Sequence, residues 1–226
     1  MRAVGTVQLS SQERILQVAR EEFAEHGFRG ARLAGIASRA GLSHPTLLYH
    51  FKSKEDLYAA VIAAAVADWA HDTEAAASAG LSGFAQVEAI LDAGFGFLAT
   101  HRDFVRIVRR EALDGGGRLE EMLSEHARPF VDRAVVFLER EMEAGRLCEH
   151  DPLELIQVYY GAVFTYFSDA GFRERLLGED PLSEEALARH RRALTELLRP
   201  GLEADSATPI GTASGRFRHG RSPRHG

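Results

Sequence analysis

The chain has 226 residues, with 27 Lys+Arg against 33 Asp+Glu, 45% hydrophobic and 27% charged residues, a composition ordinary for a globular protein long enough to bury a sizeable core. Its longest uncharged stretch, Leu155 to Ser168, is too short to span a bilayer, and the first ten residues carry no apolar run of a secretory signal. The single Cys148 excludes an internal disulfide and a cysteine-rich zinc site, so a cytoplasmic location is expected.

Apolar residues recur at spacings of three and four along almost the whole chain, so an all-α fold is expected. Ser10-Ser11-Gln12-Glu13 reads as a capping box opening the first helix, whose apolar stripe is Ile15, Ala19 and Phe23. Gly27 is placed to end that helix in a left-handed cap, with Phe28 packing back. Two short helices follow at about 32–39 and 44–50, separated by Gly41-Leu42-Ser43, and Ser53 caps a longer one with Glu55 and Asp56 in its first turn. Five more helices are expected at about 82–100, 102–113, 118–145, 152–172 and 181–199, with Pro129 kinking or splitting the third of these. The segment 201–226, rich in Gly, Ser, Pro and Arg, is expected to be a disordered tail.

Residues 32–51 carry the most information. Ile36, Ala37, Ala40, Leu42 and Leu47 are apolar or small where two short helices must touch, and Gly41 supplies the tight turn between them. Ser43 can cap the second of these helices, and Pro45 suits its first turn. Its outer side shows His44, Pro45, Thr46, Tyr49 and His50, groups able to reach phosphates and base edges. Lys52 and Lys54 follow, the only two lysines in the protein. Charge is distributed accordingly: residues 1–54 are net basic and residues 55–200 strongly acidic, which points to a polyanion partner for the first segment alone.

Over residues 9–69 the sequence resembles the TetR family of bacterial transcriptional regulators. Three blocks carry the resemblance: Arg14-Ile15-Leu16 through Phe23-Ala24-Glu25-His26-Gly27-Phe28, then Ile36 to Ser43, then Thr46 to Leu57. The resemblance implies a DNA-binding domain at 9–69, with its helix-turn-helix at 32–51, and a ligand-binding and dimerisation domain at 70–200. It also implies DNA contacts from Thr46, Tyr49, His50 and Lys54, with Ser43 at a helix end facing a phosphate. Ala31 stands where relatives commonly have a Thr, leaving Arg32 to take over that contact, and Leu48 stands where they often have Tyr.

The acidic body offers two further sets of residues. The 152–172 segment is apolar nearly all round, so it needs cover on both sides. With the family as guide, Tyr160, Phe164, Phe167, Leu187, Leu194 and Leu198 are expected at a homodimer interface. An aromatic set that includes Trp69 gathers mid-body, and Phe95, Phe104, Phe130 and Tyr159, with Arg110 and His126, are expected to line a pocket for a small apolar or amphipathic effector. No His-Glu-x-x-His, P-loop or Gly-x-Ser-x-Gly sequence occurs, so no catalytic residue, metal or cofactor is expected. The expected function is a transcriptional repressor released from palindromic double-stranded operator DNA by a small-molecule inducer. The alternative is a helical small-molecule-binding or interaction protein with a vestigial helix-turn-helix, and operator binding separates the two.

Overall fold

Ser10 opens the first helix as its sequence predicts: its hydroxyl accepts the Glu13 amide at 3.2 Å while the Glu13 carboxylate accepts the Ser10 amide at 2.7 Å. The computed structural model describes residues 9–115 and 117–204. Among them lie ten helices and, in place of any strand, one isolated bridge between Leu147 and Glu203. The expected all-α class is what the chain adopts. Helix α1 covers Ser11–Gly30, α2 Leu33–Arg39, α3 His44–His50 and α4 Lys54–Ala77. Gly27 takes the positive φ expected of it, at 68°, but the chain then makes one more helical turn to Gly30, so α1 is kinked there rather than ended.

The N-terminal unit is built around Phe23, which with Phe28 and Tyr58 forms a three-ring cluster at centroid separations of 4.9 to 6.2 Å. Ile15, Ile36, Leu47, Leu57 and Ile62 close on it, all fully buried. Helix α4 does not stop at residue 69. Its 24 residues, about 36 Å at 1.5 Å per residue, leave the three-helix unit and continue as a wall of the body, so the expected boundary falls inside a continuous element.

The body comprises α5 (Gly83–Thr100), α6 (Arg102–Leu113), α7 (Gly117–Glu143), α8 (Pro152–Ser168), α9 (Ala170–Leu177) and α10 (Glu184–Leu202). Pro129 does not split α7; it is exposed, as is Glu125 one turn earlier, so water can satisfy the carbonyl that Pro129 cannot serve. The expected helix 152–172 instead breaks at Asp169, whose carboxylate accepts the Ser168 hydroxyl at 2.9 Å and faces Arg109 at 3.5 Å. Helix α10 lies on α5, tied by Arg191 to Asp92 and Arg199 to Glu88 at 3.6 and 3.1 Å. It runs past Pro200 to Leu202, which is buried, and the Cys148 amide donates to the Leu202 carbonyl at 2.9 Å. Residues 201–204 of the expected tail are therefore part of the fold, and residues 205–226 lie outside the described residues.

A buried carboxylate fixes the far end of the body. Glu141 on α7 accepts the Gly83 amide at 2.8 Å and two Arg146 donors at 2.6 and 2.8 Å, with Arg140 at 3.1 Å. The Arg146 hydrogen bonds outweigh the cost of burial and hold its pKa down at about 2.

Candidate DNA-binding surface and ligand cleft

Helix α2 is held on α1 by Glu22, the residue before Phe23 of the apolar stripe. This buried carboxylate accepts the Arg32 amide at 3.4 Å and the Arg39 guanidinium at 3.1 Å, so it grips both ends of α2. Ala37 is buried at the crossing with α3, and Gly41 turns the chain at φ 70°. Ser43 then caps α3: its hydroxyl accepts the Thr46 amide at 3.2 Å and lies 2.8 Å from the Thr46 hydroxyl. Within α3 only Leu47 is buried.

The rest of α3 faces outward. His44, Pro45 and His50 are exposed, Tyr49 is 85% exposed with its ring edge-on to His50, and Thr46 is half-buried beside Ser43. Arg32 is exposed as the residue before α2. A rigid, fully packed unit thus presents one short helix whose polar groups are unclaimed by the core, the geometry that lets a helix enter a major groove.

Lys54 departs from expectation. Its ammonium donates to the carbonyls of Arg29 and Ala31 at 3.2 and 2.9 Å and sits 4.8 Å from the centre of the Phe28 ring. Two of its three donors hold the end of α1, so its first role is structural. Nothing in the local sequence signals this, because the partners lie 25 and 23 residues away.

The body contains a cleft of about 430 Å³ between α4, α5, α7 and α8, within the usual range of roughly 300–1,000 Å³ for small-molecule sites. Trp69 and Thr73 of α4, Ile90 of α5, Phe130 and Phe137 of α7 and Ile156 of α8 supply most of its wall, with Glu74, Arg133 and Arg140 as its charged groups. Of the residues expected to line a pocket, Phe130 does so. Phe95 is instead buried against Phe167, at 5.0 Å between centroids, and Phe104 packs edge-on against Phe97. The Tyr159 hydroxyl donates to the Leu91 carbonyl, and burial pushes its pKa up. His126 is half-buried on α7 away from the cleft. Arg110 does something different again: it crosses from α6 to α1, donating to the Glu25 carbonyl at 2.9 Å. Sequence periodicity places these side chains on helices but not on a particular inner face, and only the packed arrangement sorts core from cavity.

The expected dimer residues need the same sorting. Phe164 and Phe167 belong to the subunit's own core, 7% and 6% exposed, and Leu187 and Leu194 pack against that core while Leu198 packs on the smaller cluster around Phe84. Tyr160 is exposed, as are Leu153 and Val158 of the same apolar helix and Leu197 of α10.

A helix-turn-helix unit on a helical body with an internal cleft defines a class of ligand-responsive DNA-binding regulators. Residues 15–61 match the family described as bacterial regulatory proteins, tetR family, and residues 85–198 match the tetracyclin repressor-like C-terminal domain. The chain belongs to the TetR family and is a helix-turn-helix transcriptional regulator, not an enzyme. It is 29% identical over 193 residues to the HTH-type transcriptional regulator RutR of Escherichia coli, covering 82% of this chain and 89% of that one. It is 28% identical over 173 residues to the repressor AcnR of Corynebacterium diphtheriae, covering 74% and 84%. In fold it is similar to the regulator FadR from Bacillus subtilis in complex with stearoyl-CoA, with a TM-score of 0.69, 18% identity and coverage of 83% and 97%. A regulator from Saccharomonospora viridis in complex with choline gives a TM-score of 0.67 at 16% identity, covering 85% and 97%. No helix among the described residues is long and apolar enough to cross a membrane.

Proposed function

We propose that the protein acts in the cytoplasm as a homodimeric repressor that holds a palindromic operator through paired α3 helices and releases it when a small molecule fills the cleft. The observation that carries this reading is α4. One continuous helix begins beside the exposed α3 surface and ends with Trp69, Thr73 and Glu74 in the cleft wall. A ligand that favours one position of α4 therefore biases the placement of α3, and differential affinity for the two placements is all that release requires. His44 and Thr46 stand nearest to base edges in this reading, while Arg32, Ser43, Pro45, Tyr49 and His50 position the duplex backbone, joined by the exposed Lys52. Lys54 contributes mainly by fixing the unit that presents them. Two-fold operators are read by two-fold proteins with recognition helices about 34–36 Å apart, which favours a dimer through α8 and α10. The structures similar in fold hold stearoyl-CoA and choline, and they support an effector in the body without fixing its identity.

A gel shift with the DNA upstream of the protein's own gene tests the proposal. A saturable complex that random DNA of equal length does not displace is the expected result. Binding to neither, or to both equally, would favour a helical interaction protein whose helix-turn-helix is vestigial.

A further inference from the structure

The cleft carries three charged groups, Glu74, Arg133 and Arg140. Helix α7 alternates rings and guanidinium groups along one side: Phe130, Arg133, Phe137 and Arg140 all line the cavity. Arg133 lies over the Phe130 ring at 4.4 Å, and Arg140 over Phe137 at 5.6 Å. Trp69 of α4 packs on the Phe130 ring, at 5.3 Å between centroids. Aromatic rings beside a carboxylate commonly receive a cation, but here that place is taken by the protein itself: Arg133 sits on Phe130 and reaches Glu74 at 4.0 Å. An incoming cation would have to displace Arg133. At Arg133 an incoming anion competes with Glu74, whose contact is long and whose side chain is 68% exposed, and at Arg140, 68% exposed, it shares the guanidinium with Glu141, which accepts from it at 3.1 Å.

We propose, building on the reading of this cleft as the effector site, that its ligand is an amphiphile with an anionic head. The apolar part lies against the surface formed by Trp69, Ile90, Phe130 and Ile156, and a carboxylate or phosphate head engages Arg133 and Arg140. The two arginines are seven residues apart on α7, so they follow one another along a single helix face about 10 Å apart. Arginine forms paired hydrogen bonds to such oxyanions.

Trp69 is the only tryptophan in the chain, so its fluorescence reports the cleft directly. The full-length protein is titrated with decanoate, decyl phosphate, decanol and decyltrimethylammonium, four probes that share a chain and differ in head. The anionic probes are expected to bind about tenfold tighter than decanol, with the ammonium weakest; decanoate against decyl phosphate then shows which oxyanion is preferred. Arg133→Gln with Arg140→Gln abolishes this preference and leaves decanol binding in place, while Glu74→Gln strengthens anion binding several-fold, a gain that misfolding does not imitate. Equal or tighter binding of decanol or the ammonium, or an anion preference that survives loss of both arginines, overturns the proposed head group and leaves the cleft as effector site. If none of the four probes changes the fluorescence, both readings fall together.

Discussion

At the residue scale, single polar groups with several partners hold the separate parts in place. Glu141 gathers Gly83, Arg140 and Arg146 around one buried carboxylate, and its protonation should weaken the end of the body that α10 closes. Its pKa is held at about 2, below the ordinary carboxylate value of 4.5. A group depressed on folding contributes stability above the unfolded pKa and loses it as pH falls toward the folded one. Glu141→Ala should therefore cost about 2 kcal/mol at neutral pH, and the gap from the unsubstituted protein should narrow between about pH 4.5 and 2; thermal unfolding across that range measures it, and a gap independent of pH would contradict the account. Lys54 and Lys52 make a second pair of contrasts. Lys54→Met removes two hydrogen bonds to the end of α1 and should lower stability by about 1 kcal/mol without DNA present. Exposed Lys52→Gln should leave the melting temperature unchanged and flatten the salt dependence of operator binding by about one unit of slope. If both substitutions act only on DNA binding, Lys54 has been assigned the wrong role.

At the scale of elements, α1 and α6 meet where α1 kinks. Gly27 holds φ 68° and ψ 174°, a combination that side chains other than hydrogen avoid, and a Cβ there would lie 2.8 Å from Arg110 Cδ. Gly27→Ala should destabilise by about 2 kcal/mol. Adding Arg110→Ala should recover only the steric share, because the backbone strain remains; full recovery in chemical unfolding would show that the kink itself is unstrained. The positive φ at Gly27 was legible from sequence, as were the Ser10 capping box, the Ser43 and Ser53 caps, the α2–α3 crossing and the limits of α2 and α3, because local periodicity and caps decide them. What the turn packs against was not, since Arg110 lies far along the chain. The same reason explains the break at Asp169, whose carboxylate takes up the Ser168 hydroxyl and faces Arg109 from a distant helix, and the sorting of the pocket residues: Phe95, Phe130 and Tyr159 carry the same apolar pattern, and only their neighbours from other helices separate wall from core. For α7, the rule that proline interrupts a helix met a solvent-facing position, where water can take the place of the lost bond.

At the scale of the whole molecule, an apolar helix that needs cover on both sides finds one side inside its own subunit. Phe164 and Phe167 face inward on α8, which assigns the outer side to Val158, Tyr160, Gly161 and Ala162, with Leu197 on α10 at 78% exposure. Small residues beside large ones permit two helices to approach closely, and stable interfaces bury on the order of 1,600 Å² in all. Substitutions on the two sides should therefore behave differently. Phe164→Glu places an unpaired charge in the subunit core and should unfold the protein. Leu197→Glu disturbs nothing within the subunit, so its helix content and monomer packing should persist while light scattering at micromolar concentration shows a single subunit. Operator affinity should fall steeply with it, because one helix-turn-helix unit then reads only one half-site. Val158→Glu should reproduce the effect from α8. If Leu197→Glu and Val158→Glu both remain dimeric, the subunits join through another surface, and the exposed leucines and phenylalanine of α9, Leu176, Leu177 and Phe172, would be the next to substitute.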